Sequence, residues 1–90
     1  MDVRRFRHHA RGDTRYVAWQ VGGIFDPAPH WLHGLVAVEK ARFVDEGLSV
    51  QTITGVWRVV PEGCWVVYQE GGNVWEMNDD AFQNLYREVV

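Results

Sequence analysis

A single cysteine, three prolines and the lack of any long apolar run set the first limits on this 90-residue sequence. Cys64 cannot close an intramolecular disulfide, and with only four histidines beside it there is no spaced ligand set for a structural zinc. No stretch approaches the roughly 20 apolar residues that a membrane span requires. The first 15 residues carry five arginines and no hydrophobic run, so no secretory leader is expected. These absences predict a soluble, cytoplasmic protein with no membrane partner. The length suits one domain, since a single core takes roughly 50 to 200 residues. With 47% hydrophobic and 23% charged residues, the chain has enough apolar surface to offset its ordering entropy and should fold alone.

The net charge of −3 conceals a split. Five arginines and two aspartates give the first 15 residues +3, which leaves −6 for the remainder. The sequence thus reads as a basic N-terminal arm, residues 1–15, before a single acidic domain, residues 16–90. Arg4, Arg5 and Arg7 are candidate contacts to an acidic surface, against the plainer reading of a solvated segment that pairs with the chain's own carboxylates. Nucleic acid is disfavoured as a partner, because such proteins carry their basic groups across the folded face and this body has the opposite sign.

Residues 16–21 read as a first strand, with Tyr16, Val17, Trp19 and Val21 ended by Gly22-Gly23. Asp26 before Pro27 is a helix-start pair, since Asp accepts from free amides and Pro has no amide to lose at the first helical position. Trp31, Leu32, Leu35 and Val36 follow at helical spacing. From Ala41 the pattern changes to short apolar runs between turn residues: Glu46-Gly47, Thr54-Gly55, Pro61-Glu62-Gly63 and Gly71-Gly72. Antiparallel strands are predicted near 41–45, 48–53, 56–60, 64–70 and 73–77. Phe82, Leu85, Tyr86 and Val89 then fall on one face of a helix over 79–90, capped by Asn78 or Asp79. The expected fold is α+β: a small antiparallel β-meander with one helix in the N-terminal half and a C-terminal helix.

Register follows from the turns. If Thr54-Gly55 and Gly71-Gly72 are two-residue turns and Pro61-Glu62-Gly63 a three-residue loop, Ile53 pairs with Val56, Val60 with Cys64 and Glu70 with Asn73. One face then collects Leu48, Val50, Thr52, Trp57, Val59, Trp65, Val67 and Val74, with Trp57 and Trp65 a buried cross-strand pair and Trp19 and Trp31 near them. The other collects Ile53, Val56, Val60, Cys64, Val66, Tyr68, Trp75 and Met77, broken by Gln51 and Arg58. A sheet with one solvated face alternates apolar and polar residues. Both faces here are apolar, so each needs a cover: a helix, sheet closure or another molecule.

The run Leu48-Ser49-Val50-Gln51-Thr52, then Gly55, Gly63-Cys64-Trp65-Val66-Val67, Gly72, Trp75, Asp80, Phe82 and Tyr86 resembles small phage and prophage proteins of the PGDYG type. The likeness covers about residues 48–88, and 16–23 more loosely. It implies a phage origin, a bacterial host cytoplasm as the setting, and no assigned activity. Cys64 stands where that family usually has Asp, and Val56 and Tyr68 where it tends to have polar residues or Lys. The family pattern implies that this face is normally wet. Here Val56, Cys64, Tyr68 and Trp75 would form an apolar patch of the sort a partner covers, unless the chain's own helices do so.

Catalytic constellations are poor. His30 and His33 are three apart, but no carboxylate or thiol at suitable spacing completes a metal site. Cys64 has no histidine brought to it by sequence, and a strand cysteine is usually a small hydrophobe. Asp79 and Asp80 suit a helix start. Gly22-Gly23 and Gly71-Gly72 lack the strand-to-helix context of a phosphate loop. No cofactor or metal is expected. The expectation is therefore a phage-encoded, non-enzymatic binding protein that occupies a surface of a host protein, an antiviral defence component being one such target, through Val56, Cys64, Tyr68 and Trp75 with help from Arg4, Arg5 and Arg7. The alternative is a structural virion component or self-assembling homo-oligomer subunit that uses the same face against itself.

Overall fold

The computed structural model describes residues 5–8, 15–22, 28–45, 47–69 and 72–89. The elements run β1 (Arg5–His8), β2 (Arg15–Gln20), α1 (His30–Ala37), β3 (Ala41–Val44), β4 (Gly47–Gln51), β5 (Trp57–Pro61), β6 (Trp65–Tyr68), β7 (Val74–Met77), α2 (Asp79–Leu85) and β8 (Tyr86–Glu88). The fold is α+β, with every strand pair antiparallel. The strands divide into a five-stranded sheet of order β7-β6-β2-β1-β8 and a three-stranded meander of order β3-β4-β5.

The expected antiparallel meander is present as β3-β4-β5, and only its expected continuation by pairing of β5 with β6 is corrected, at the turn after β5. Cys64 N–H donates to Pro61 C=O at 3.0 Å, and Gly63 takes φ +90°, a left-handed conformation that favours glycine. Gly63 N–H then donates to Val21 C=O and Val21 N–H to Cys64 C=O. The chain is thereby handed from the small sheet to the large one, where β6 enters between β2 and β7. Val60 and Cys64 are therefore not a strand pair.

The two hairpin registers are also shifted by one residue. Thr52 N–H donates to Val56 C=O at 3.0 Å and Gly55 N–H to Thr52 C=O at 2.9 Å, with Gly55 at φ +84°. This is a three-residue loop with glycine in the left-handed position. A two-residue turn would have needed positive φ at Thr54, which a β-branched residue resists. Gln51 consequently pairs with Trp57 and Leu48 with Val60. In the second hairpin Gln69 N–H donates to Asn73 C=O, and Tyr68 pairs with Val74. Glu70 and Gly71 lie outside the described residues.

The corrected register sorts the side chains into two cores. Val66 and Val74 of the large sheet face Leu48, Val50 and Val60 of the small one, and Leu32 and Leu35 of α1 fill the space beside them. On the opposite face of the large sheet, Phe6, Tyr16, Ala18, Trp65 and Val67 pack against Phe82 of α2. Burying a large apolar side chain contributes roughly 1.5–3 kcal/mol, so the aromatic core is a main source of stability. Trp65 stacks on Phe82 with ring centroids 4.0 Å apart, and Phe6 meets both rings edge-on. Trp57 is not part of that cluster. It sits half-buried on the small sheet, so the expected Trp57–Trp65 pair does not form.

Both helices begin or end differently from the sequence expectation. α1 starts at His30 behind Pro29, which has no capping side chain; Asp26 and Pro27 lie outside the described residues. Its end is a Schellman motif, with Lys40 N–H on Leu35 C=O and Glu39 N–H on Val36 C=O. Glu39 occupies the left-handed position at φ +61°, where glycine is usual. α2 is capped as expected, with Asn78 Oδ1 accepting from Ala81 N–H at 2.8 Å, but it stops at Leu85. Tyr86 is extended at φ −124°, ψ 147°, and opens β8 against β1. Part of the basic N-terminal stretch is thus built into the sheet, with Phe6 as its buried anchor.

Candidate interaction surfaces

The residues singled out by sequence do not share one face. Tyr68 is half-buried on the inter-sheet side, stacked on Trp31 at 5.7 Å. Cys64 lies half-buried in the turn leading into β6, packed against the same core. Trp75 projects to the other face of the large sheet, beside Val67 in register, and meets the Tyr16 ring edge-on at 5.8 Å. Val56 is 49% exposed at the loop end of β5, in the other sheet. The common apolar face is corrected accordingly: the cover it needed comes from α1, α2 and the second sheet. Arg4 lies outside the described residues. Arg5 and Arg7 are exposed on β1.

Two other groupings emerge. The first is the outer face of β3-β4-β5. Alternation along the strands turns Leu48, Val50 and Val60 inward and leaves Trp57 and Val59 facing outward with Arg42, opposite Ser49 and Gln51. The Arg42 guanidinium carbon stands 3.9 Å from the Trp57 ring centroid, a cation–π contact. Val59 beside it is 48% exposed, and Ile53 and Val56 are exposed at the loop end. A groove of about 470 Å³ adjoins the pair, lined by Val36, Glu39, Ala41, Arg42, Gln51 and Trp57. The strained Glu39 backbone therefore borders the Arg42–Trp57 contact. Residues held in left-handed conformations without glycine concentrate at functional places.

The second grouping is basic. Residues directly opposite in an antiparallel ladder share a face, as do residues two apart in one strand. Arg7 pairs with Arg87, so Arg5, Arg7 and Arg87 project from one side of the β1–β8 edge. Arg15 is the register partner of Arg7 on the other side. Sequence reading missed Arg87 because it fell within the expected helix. Reading Arg5-Phe6-Arg7-His8 as an alternating strand would have placed both arginines of β1 together.

The catalytic candidates stay apart. His30 and His33 are exposed on α1, and His33 lies against Phe43 at 6.2 Å. Asp79 Oδ1 accepts from Trp65 Nε1 at 2.8 Å, a structural role at the start of α2. Among the described residues, no group of three His, Cys, Asp or Glu side chains gathers where a metal ion could be held. No helix among them is long and apolar enough to cross a membrane. No family model, curated protein or solved structure matches the chain. The phage-family resemblance accordingly rests on its motif residues.

Proposed function

We propose that this chain is a non-enzymatic binding protein that acts by occupying a surface of another protein, with the outer face of β3-β4-β5 as its docking face. The Arg42–Trp57 contact carries this reading. A half-exposed tryptophan held under a guanidinium, with Val59 open beside it, has the composition of an interface centre. In the setting that the phage motifs imply, the occupied surface belongs to a bacterial host protein, an antiviral defence component being one such target.

The test compares the wild-type chain with Trp57→Ala/Val59→Asp as baits in host lysate, scored by quantitative mass spectrometry and alongside sedimentation at about 10 μM. A host protein retained at defined stoichiometry by the wild type and lost by the folded variant supports the reading. Equal retention by both overturns it. A stable oligomer that the variant dissolves favours instead a self-assembling subunit or virion component.

A further inference from the structure

We infer that the β1–β8 edge of the large sheet is a docking site for an acidic segment of a partner protein, held by Arg5, Arg7 and Arg87. The site lies on a different sheet from the face proposed above and does not depend on it. The geometry is set by register. Arg7 and Arg87 are direct cross-strand partners, and Arg5 stands two positions along β1 on the same side. All three are exposed, and none carries an ion pair among the described residues. Like charges placed directly opposite one another destabilise a strand pair. A bound carboxylate converts that repulsion into charge-assisted hydrogen bonds, and the planar guanidinium suits carboxylates bidentately.

Two observations favour an acidic polypeptide over nucleic acid. The ring-bearing side chains of β1 and β8, Phe6, His8 and Tyr86, lie on the opposite face, where Phe6 and Tyr86 are buried and His8 is half-buried against Tyr86, so the arginine face of these strands offers no platform for stacking bases. Residues 16–90 carry −6, so a long polyanion running past the arginines meets a field of its own sign, whereas a few carboxylates need only the arginines themselves.

The experiment measures fluorescence anisotropy of a labelled ten-residue glutamate-rich peptide at about 50 mM salt, where surface charge is weakly screened. A ten-nucleotide single-stranded DNA is titrated in parallel. Arg7→Gln/Arg87→Gln should weaken peptide binding about five- to tenfold without lowering the melting temperature. Arg58→Gln, an exposed arginine of the other sheet, should leave binding within about twofold. No peptide binding, tighter binding of the DNA, or an equal loss with Arg58→Gln would each overturn the inference. So would salt-sensitive self-association that the double variant abolishes, since the occupant would then be a second copy.

Discussion

Trp65 donates its indole N–H to Asp79 Oδ1 at 2.8 Å, joining the start of β6 in the large sheet to the first turn of the helix that covers it. The contact fixes the Trp65 ring where Phe82 can stack on it at 4.0 Å. Trp65→Ala should cost about 3–5 kcal/mol by urea melting, as large buried rings do. Asp79→Ala should cost about 1–2 kcal/mol, because the indole donor loses its partner. A near-neutral Trp65→Ala would place the ring outside the core.

Glu39 offers the opposite sign. Its φ of +61° at the end of α1 is a conformation that glycine adopts freely. Glu39→Gly should stabilise the protein by about 0.5–1 kcal/mol, read as a melting temperature several degrees higher. An unchanged or lower value would mean that the glutamate side chain contributes more than its backbone loses.

Gly47 should tolerate nothing larger. It sits at φ +135°, and a Cβ there would stand 2.8 Å from the Val60 carbonyl oxygen. Gly47→Ala should destabilise by about 2 kcal/mol or more through strain and lost β4–β5 pairing. Denaturant melts that match the wild type would show that the hairpin yields without loss.

Tyr68 and Val59 make a contrasting pair. Tyr68 is half-buried against Trp31, so Tyr68→Lys should cost about 1–3 kcal/mol. Val59 points outward on an edge strand, and Val59→Asp should stay within about 1 kcal/mol of wild type. Thermal melts of the two single variants give the comparison directly; the reverse order would mean that the inner and outer faces have been exchanged.

Strand positions were legible because β-branched and aromatic residues cluster between turn glycines, and Asn78 announced α2 through its capping side chain. Pairing was less so. Thr54-Gly55 looks like a two-residue turn until the preference of Thr54 for negative φ is weighed, and that one residue exchanges the faces of β5. Tyr86 satisfies helical spacing from Phe82 and also fits a strand, so periodicity alone could not end α2 at Leu85. Pro61-Glu62-Gly63 resembles a hairpin loop, while the bonds that make it a crossover come from Val21, 40 or more positions earlier. Arg87 joined the basic edge only through β8, a three-residue strand whose partner lies near the opposite end of the described sequence.

The pairing of β8 with β1 also governs when the protein can become itself. Phe6 and Glu88 are register partners about 80 positions apart, a separation whose closure entropy slows folding. During synthesis, β1 emerges first and must wait for residues 86–88 before its second edge is paired. Until then the nascent chain presents an open strand beside the uncovered rings of Tyr16 and Trp65, a vulnerable interval in which an edge invites pairing with other chains. The arginines on β1 carry like charge into that interval and oppose such encounters between copies.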